Sequence, residues 1–284
     1  MPLHVKIKVG FLIAVLACTA AFFAVMAASS QALWLRAVFA ALLLLEALGM
    51  LAALELYVPQ VNIITKSFRR GDRGSGMVAL SFDDGPAGPG TVEILGVLAA
   101  HGVKATFFIL GQYIDGNEKI LEQMAGQGHE TGNHGYSHRK MHFMPGKRIE
   151  EEIRKTEELI VRASGKKPVL LRTPHGFVSP AVGSAARRLG YRIAAWTTGV
   201  WDTDKGVTPE QIAARALENL KAGDILLLHD GHGDDRNRIQ SATAAALPMI
   251  IEGIKSKNMR TVPVGELLKW PGLETKQPQK SNDR

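Results

Sequence analysis

The sequence is almost without cysteine. Its one cysteine, Cys18, lies in an apolar run near the N-terminus, so the region from Val61 onward contains none. That region therefore has neither a disulfide framework nor a cysteine-ligated structural zinc site. Cysteine usage gives no indication of the compartment in which the protein works.

Clusters of basic residues interleaved with aromatic residues are also missing. Aromatic side chains make up 6% of the chain, and the net charge of +7 belongs mostly to its polar part. Nucleic-acid-binding proteins usually place such clusters on one face. We therefore predict no nucleic-acid partner. The net positive charge suits binding to lipid headgroups or to an acidic glycan, or it is ordinary solubilising charge.

Apolar residues are concentrated in two N-terminal runs. Residues 10–28 carry no charge, and only Glu46 and Glu55 interrupt residues 37–58. Each run is long enough to cross a bilayer, which takes roughly 20 residues of helix. We predict that residues 1–60 form a transmembrane hairpin and that the protein is integral to the cell membrane. The first run also resembles a signal peptide, which would leave the second run to act as the anchor.

The sequence leaves open on which side of the membrane the polar part lies. Lys6 and Lys8 precede the two runs, and Arg69 and Arg70 follow them. By the positive-inside rule, both flanks of a hairpin would be cytoplasmic. If only one run spans the membrane, the polar part lies outside.

The remaining chain has the pattern of one α/β domain. We predict a linker over residues 61–76, a domain over residues 77–270 and a polar tail over residues 271–284. Short apolar runs alternate with amphipathic segments, which predicts a distorted (β/α) barrel of about seven parallel strands. Two helix starts are marked by capping hydroxyls before prolines, at Ser179 and Thr208, and Gln211 is placed to complete a capping box. In such a fold, functional side chains are expected after the carboxyl ends of the strands.

Acidic and imidazole side chains occupy two of these positions. Asp83 and Asp84 directly follow the first predicted strand, and His134 and His138 follow another. An Asp-Asp-Gly-Pro sequence also suits an ordinary turn, and histidines often lie in a core. Two histidines with a carboxylate from elsewhere form a three-ligand set that leaves room for water, as a catalytic divalent metal requires.

Further polar side chains follow two more strands. Arg172 comes after residues 169–171, and His229 ends the run that begins at Ile225. Strand alternation places Leu227 and His229 on one face. Alone, Arg172 also suits a surface cation and His229 an ordinary strand-end residue. Their shared position at strand ends, together with the residues above, predicts a catalytic site.

These motifs resemble those of the polysaccharide deacetylase family, the carbohydrate esterases that share a NodB-like domain. The resemblance spans residues 77–268. Five segments match the family's motifs in order: residues 81–86, 134–138, 172–177, 196–202 and 227–229. The resemblance implies a distorted barrel with fewer than eight strands and a metal held by one aspartate and two histidines.

The resemblance also implies a role for each matching residue. The metal ligands would be Asp84, His134 and His138, and the general base and general acid would be Asp83 and His229. The metal would be zinc, with cobalt and nickel as alternatives, because imidazole and carboxylate ligands accept all three.

The same resemblance implies supporting roles behind the catalytic groups. Arg172 would orient Asp83, and Asp202 would contact either Arg172 or His229.

Four residues would contact the substrate by the same resemblance: His175, Gly176, Leu227 and Trp201. Leu227 would form part of the pocket for the acyl methyl group, and Trp201 would either stack on a sugar face or pack in the core. His175 stands where the family usually has an aromatic residue, and Gly199 and Thr203 also depart from its pattern. These departures bear on substrate identity more than on catalysis.

The predicted function is N-deacetylation of N-acetylglucosamine-type sugars in a polysaccharide, an oligosaccharide or a lipid-linked glycan. One alternative is a deformylase or deacetylase of a lipid-linked amino sugar. Another is a membrane-tethered carbohydrate-binding protein with little turnover. The sequence predicts no oligomeric state.

Overall fold

The computed structural model describes residues 17, 19–21, 24, 33–57, 65–238 and 240–268 of the 284-residue chain. The chain divides into two compact units, Met1–Ile63 and Ile64–Arg284. Most of the first apolar run and the whole predicted polar tail lie outside the described residues.

The first unit contains one long described helix, α1 (Leu33–Tyr57). It takes up nearly all of the second apolar run, and the side chains of Leu42, Leu44, Leu45 and Leu48 are exposed. Among the residues whose side chains the structure describes, no helix is both long and apolar enough to cross a bilayer. The transmembrane hairpin therefore stays a prediction.

The second unit is built on one parallel sheet. Its strands are β1 (Ser67–Phe68), β2 (Met77–Asp83), β3 (Thr106–Ile109), β4 (Glu130–Asn133), β5 (Leu170–Leu171), β6 (Arg192–Ala194), β7 (Thr198–Gly199), β8 (Ile225–His229) and β9 (Arg260–Val262). The order across the sheet is β1-β6-β5-β4-β3-β2-β8-β7, and β9 pairs with the start of β2. The sheet curls into an open half-barrel with β1 and β7 at its ends.

The helices that cover the sheet are α2 (Pro89–Ala100), α3 (Glu118–Gly126), α4 (Gly146–Ser164), α5 (Pro180–Arg188), α6 (Pro209–Leu217), α7 (Ser241–Ser256) and α8 (Val264–Leu267). The largest core cluster joins β2, β3 and β8 to α2, α3, α6 and α7. Every residue of β2 is buried, which is typical of a parallel strand covered on both faces. Burial of β2 fixes the position of Asp83 at its carboxyl end.

The two helix starts predicted from capping hydroxyls are confirmed. The Ser179 hydroxyl accepts a hydrogen bond from Val182 N at the start of α5. Thr208 and Gln211 form a complete capping box at the start of α6. Gly165 ends α4 with a φ of 70°, in the left-handed region that favours glycine.

Two predictions about the sheet need correction. The described part of the sheet has nine strands rather than about seven, and the distorted barrel takes the form of an open half-barrel. Strands β1 and β7 contain two residues each, which is too short to show a hydrophobic period. The segment predicted as a linker, residues 61–76, contributes β1, which pairs with β6.

Candidate active site

The predicted site residues come together at the carboxyl ends of the strands. Asp83 and His229 end neighbouring parallel strands and are register partners. His134 directly follows β4, and Arg172 directly follows β5. One pocket is lined by nine of the predicted residues: Asp83, Asp84, His134, His138, His175, Gly176, Trp201, Leu227 and His229. The other two, Arg172 and Asp202, are buried behind it.

Three side chains form a candidate metal site. The ligand atoms of Asp84, His134 and His138 lie within 4.8 Å of one another. Asp84 Oδ1 is 3.3 Å from His134 Nε2 and 3.1 Å from His138 Nε2. The ring of His134 is oriented by its other nitrogen, because Nδ1 lies 2.8 Å from the backbone carbonyl of Arg172. Each Nε2 therefore faces the carboxylate.

The chemistry of this donor set fits a divalent metal. Asp84 Oδ1 is buried and, among the described residues, accepts no well-aligned hydrogen bond despite its two close imidazoles. Converging donors with an unsatisfied oxygen are what a metal site requires, whereas a hydrogen-bonded cluster would align donors with acceptors. Burial acts to raise the pKa of Asp84, but His134 and His138 outweigh it and hold that pKa well below its usual range. The carboxylate is therefore ionised and ready to bind a cation.

The local backbone turns sharply at these ligands. Asp84 and His138 have φ values of 73° and 58°, which side chains other than glycine seldom adopt. The His134–His138 loop is held by the buried carboxylate of Glu152 in α4, which accepts hydrogen bonds from Tyr136 N and Ser137 N at 3.0 and 2.8 Å. The histidine loop is thus supported from the core.

Arg172 holds Asp83 beside the metal ligands. The guanidinium is fully buried and donates to Asp83 Oδ1 at 2.7 Å and to Ser81 Oγ at 2.9 Å. It also donates to the carbonyls of Ala194 and Ala195 at the end of β6. These bonds fix the Asp83 carboxylate as a charged acceptor at the edge of the pocket.

Asp202 orients His229. The predicted contact was with either Arg172 or His229, and the structure selects His229, with Asp202 Oδ1 2.8 Å from its Nδ1. Asp202 Oδ2 accepts hydrogen bonds from the His229 N–H and from the Thr243 hydroxyl, each at 2.8 Å. Burial acts to lower the pKa of His229, but Asp202, with Asp84 and Asp83, raises it to about 9. His229 is therefore protonated near neutral pH.

The predicted substrate-contacting residues line the outer part of the pocket. Trp201 is 65% exposed, which excludes the core position that was one of its two predicted settings. Leu227 is nearly buried on the same strand face as His229, as alternation predicts. A Cβ at Gly176 would overlap the ring of Trp196, so glycine is required there. The ring of His175 lies 4.6 Å from that of His138, and burial together with His138 lowers the pKa of His175.

Three residues near the site were not predicted from the sequence: Glu152, Asp230 and Asp234. Glu152 holds the histidine loop as described above. Asp230 is fully buried, and its Oδ2 accepts a hydrogen bond from Thr91 Oγ1 at 2.7 Å. Asp234 Oδ1 lies 3.2 Å from His138 Nδ1. The sequence contains a signal only for Glu152, an acid on the core-facing stripe of α4 between Ile149 and Ile153.

The fold and the site together define a hydrolase that combines a divalent-metal site with adjoining acid and base groups at the strand ends of a curled parallel sheet. Comparison with known proteins gives the family. The model of the polysaccharide deacetylase family matches residues 70–194. The chain belongs to this family, as the motifs predict, and is accordingly a hydrolase of amide bonds, a polysaccharide or oligosaccharide N-deacetylase.

Individual relatives cover most of the second unit. A peptidoglycan-N-acetylglucosamine deacetylase of Bacillus cereus is 34% identical over 200 residues, which cover 68% of this chain and 89% of the relative. A chitooligosaccharide deacetylase of Sinorhizobium fredii is 30% identical over 203 residues, covering 68% of this chain and 94% of the relative. The crystal structure of the Bc1960 peptidoglycan N-acetylglucosamine deacetylase aligns with a TM-score of 0.66 at 31% identity, covering 71% of this chain and 92% of that one.

Proposed function

We propose that the protein removes N-acetyl groups from N-acetylglucosamine units of a glycan by metal-assisted hydrolysis. The observation that carries this proposal is the convergence of all the required groups on one pocket. The Arg172–Asp83 pair and the Asp202–His229 pair flank the metal site formed by Asp84 and two histidines. A binding protein without turnover has no need of this complete set.

Asp83 and His229 would divide the proton transfers. Asp83, oriented by Arg172, takes a proton from the water that attacks the acyl carbonyl. The new C–O bond forms as the carbonyl carbon becomes tetrahedral. Protonated His229 then gives its proton to the amine nitrogen as the C–N bond breaks, which releases acetate and a free amino sugar. The two groups lie on neighbouring strands, on one side of the pocket.

Asp84, His134 and His138 would hold the metal, with zinc as the expected ion and cobalt or nickel as alternatives. A divalent metal in such a site lowers the pKa of water and polarises a carbonyl oxygen. The exposed indole of Trp201 would stack on a sugar ring at the rim, and Leu227 would contact the acyl methyl group. His175 adds a polar ring to the wall of the pocket.

We further propose that the N-terminal apolar runs attach the protein to the cell membrane. The exposed leucines of α1 support this proposal, because a lipid bilayer would bury their apolar side chains. Membrane attachment also favours a second candidate substrate, an N-acylated amino sugar that is linked to a lipid.

The test is acetate release by the full-length protein in detergent with zinc or cobalt added. Chitooligosaccharides, peptidoglycan and a lipid-linked amino sugar would be supplied in parallel. We expect Asp83→Asn and His134→Ala to abolish release. The matched control is His101→Ala, because His101 lies at the end of α2 and pairs with Glu252 instead of lining the pocket.

The outcomes separate the candidates. Release from the polymer or oligomer that both site variants lose supports the proposal. Release from the lipid-linked sugar alone favours the second candidate. A folded, metal-loaded parent that binds glycan without releasing acetate from any of the three would refute the proposed function.

A further inference from the structure

The loop that follows β8 packs directly against two of the metal ligands. It contains Gly231, His232, Gly233 and Asp234, and the sequence motifs assign none of these a role. A Cβ at Gly231 would overlap the backbone carbonyl of Asp84, and a Cβ at Gly233 would overlap the ring of His138. The two glycines are therefore what allows the loop to approach the site so closely.

The loop contacts the atoms of these ligands that face away from the metal site. Gly233 N donates to Asp84 Oδ2 at 3.0 Å, which leaves Oδ1 directed at the two imidazoles. Asp234 Oδ1 lies 3.2 Å from His138 Nδ1, while His138 Nε2 lies 3.1 Å from Asp84 Oδ1. Both ends of the His138 ring are thus oriented by carboxylates.

The two histidine ligands differ in this outer contact. His134 has a backbone carbonyl at its Nδ1, from Arg172 at 2.8 Å. His138 has the carboxylate of Asp234 instead. A carboxylate behind a ligating imidazole fixes its tautomer and makes it a stronger donor to the metal than a neutral carbonyl does. His138 would therefore depend on Asp234 for its strength as a ligand.

We propose that Asp234 is a positioning residue for the metal site, acting through the Nδ1–H of His138. The inference rests on the metal site of the proposed function. Asp234 is placed by its loop, because the Tyr113 hydroxyl lies 3.0 Å from the carbonyls of both His232 and Gly233 and shares its one proton between them. The loop thus presents an exposed carboxylate to a fixed imidazole.

The expected effect is a loss of metal affinity. Removing an outer partner of a metal ligand lowers affinity by about 10- to 100-fold. Because the Asp234 side chain is 75% exposed, water would replace part of the lost contact. We therefore expect Asp234→Ala to lower zinc affinity about tenfold, at the lower end of that range. Asp234→Asn keeps an acceptor oxygen without the charge and should fall between Asp234→Ala and the parent.

The experiment measures zinc affinity by competition with a chromophoric chelator, using the metal-free full-length protein. The visible absorption spectrum of the cobalt-loaded protein gives a second readout, because it reports ligand geometry and needs no substrate. Asp235→Asn is the matched control: it removes a charge from the same loop, but the Asp235 carboxylate accepts a hydrogen bond from Asn237 N at 3.1 Å. Its zinc affinity should equal that of the parent.

The melting temperature of each metal-free variant shows whether the fold is intact. Equal zinc affinities for the parent and a folded Asp234→Ala variant would overturn the role of Asp234 and leave the proposed function standing. An equal loss in Asp235→Asn would also overturn it, because the effect would then come from the charge of the loop. A folded parent without zinc affinity would instead count against the metal site itself.

Discussion

Replacing Asp202 with asparagine should change both the proton position and the pKa of His229. Asp202 Oδ2 accepts two hydrogen bonds, from His229 N and from the Thr243 hydroxyl, while Oδ1 faces His229 Nδ1. The backbone N–H can only donate, so the amide carbonyl of an asparagine must take the Oδ2 position. Its NH2 group then faces Nδ1, which can accept that bond only when it carries no proton.

The size of the effect follows from the pKa of His229. That pKa is raised to about 9 in the folded protein, against about 6.5 for an ordinary histidine. Asp202 is the largest favourable contributor, so the variant should return His229 to about 6.5 or below. The difference corresponds to roughly 3 kcal/mol, and at pH 7.5 the protonated fraction would fall from about 97% to about 9%.

The assay is the pH profile of kcat/KM for acetate release, with a parallel NMR titration of His229 in the metal-free protein. A general acid is active only while protonated, so the alkaline limb should move down by about 2.5 pH units. At pH 7.5 the rate would fall about tenfold, and at pH 5.5 it would change little. An alkaline limb and a His229 titration that both stay in place in a folded Asp202→Asn variant would refute the reasoning.

The raised pKa of His229 also makes the stability of the folded protein decrease as the pH rises. Because the folded pKa of His229 is above its unfolded value, its contribution is fully present below about pH 6.5 and is lost as the pH rises through about 9. The parent should lose stability over this window, and the Asp202→Asn variant should show a flatter dependence.

Two further predictions concern the support of the site and the N-terminus. Glu152→Ala leaves Tyr136 N and Ser137 N without their acceptor, so we expect the free energy of unfolding to fall by about 3 kcal/mol and the melting temperature by about 6–12 °C. The control is Glu151→Ala, an exposed neighbour, which should change stability by less than about 0.5 kcal/mol. Equal melting temperatures for the two variants would contradict this prediction. The full chain should stay in the membrane fraction after high-salt and alkaline washes, and a chain that lacks residues 1–60 should not; recovery of the full chain in the soluble fraction would contradict membrane attachment.

Much of the fold could be predicted because short-range chemistry sets it. The cap at Thr208 and the left-handed end at Gly165 depend on residues within a few positions of each other. The apolar run of β2 is long enough to mark a buried strand. By contrast, β1 has two residues and is held by pairing with β6, more than a hundred positions along the chain. No local pattern predicts such a strand.

The candidate site shows the same contrast between features set by nearby residues and features set by distant contacts. Residue type and position after a strand predict a metal site made of two histidines and a carboxylate, and the family resemblance assigns the carboxylate to Asp84 beside His134 and His138. The partner of Asp202 was left open, because the choice between Arg172 and His229 depends on how the chain passes from β7 to β8. Asp234 gave no signal, since its contact with His138 spans 96 positions and an acid in a glycine-containing loop is usually only solvated.

The structure also explains why two adjacent aspartates would have different roles. Asp83 pairs with the buried guanidinium of Arg172, and its carboxylate lies at the edge of the pocket. Asp84 turns away with a φ of 73° and faces the two imidazoles.

The cost of burying the other carboxylates near the site is offset in other ways. Asp202 pairs with protonated His229, and burial, with the charges of Asp84 and Asp83, raises the pKa of Asp230 to about 7. Burial acts to raise the pKa of Asp84, but the two imidazoles of His134 and His138 hold it low. A cation bound between Asp84, His134 and His138 would balance the charge of this carboxylate.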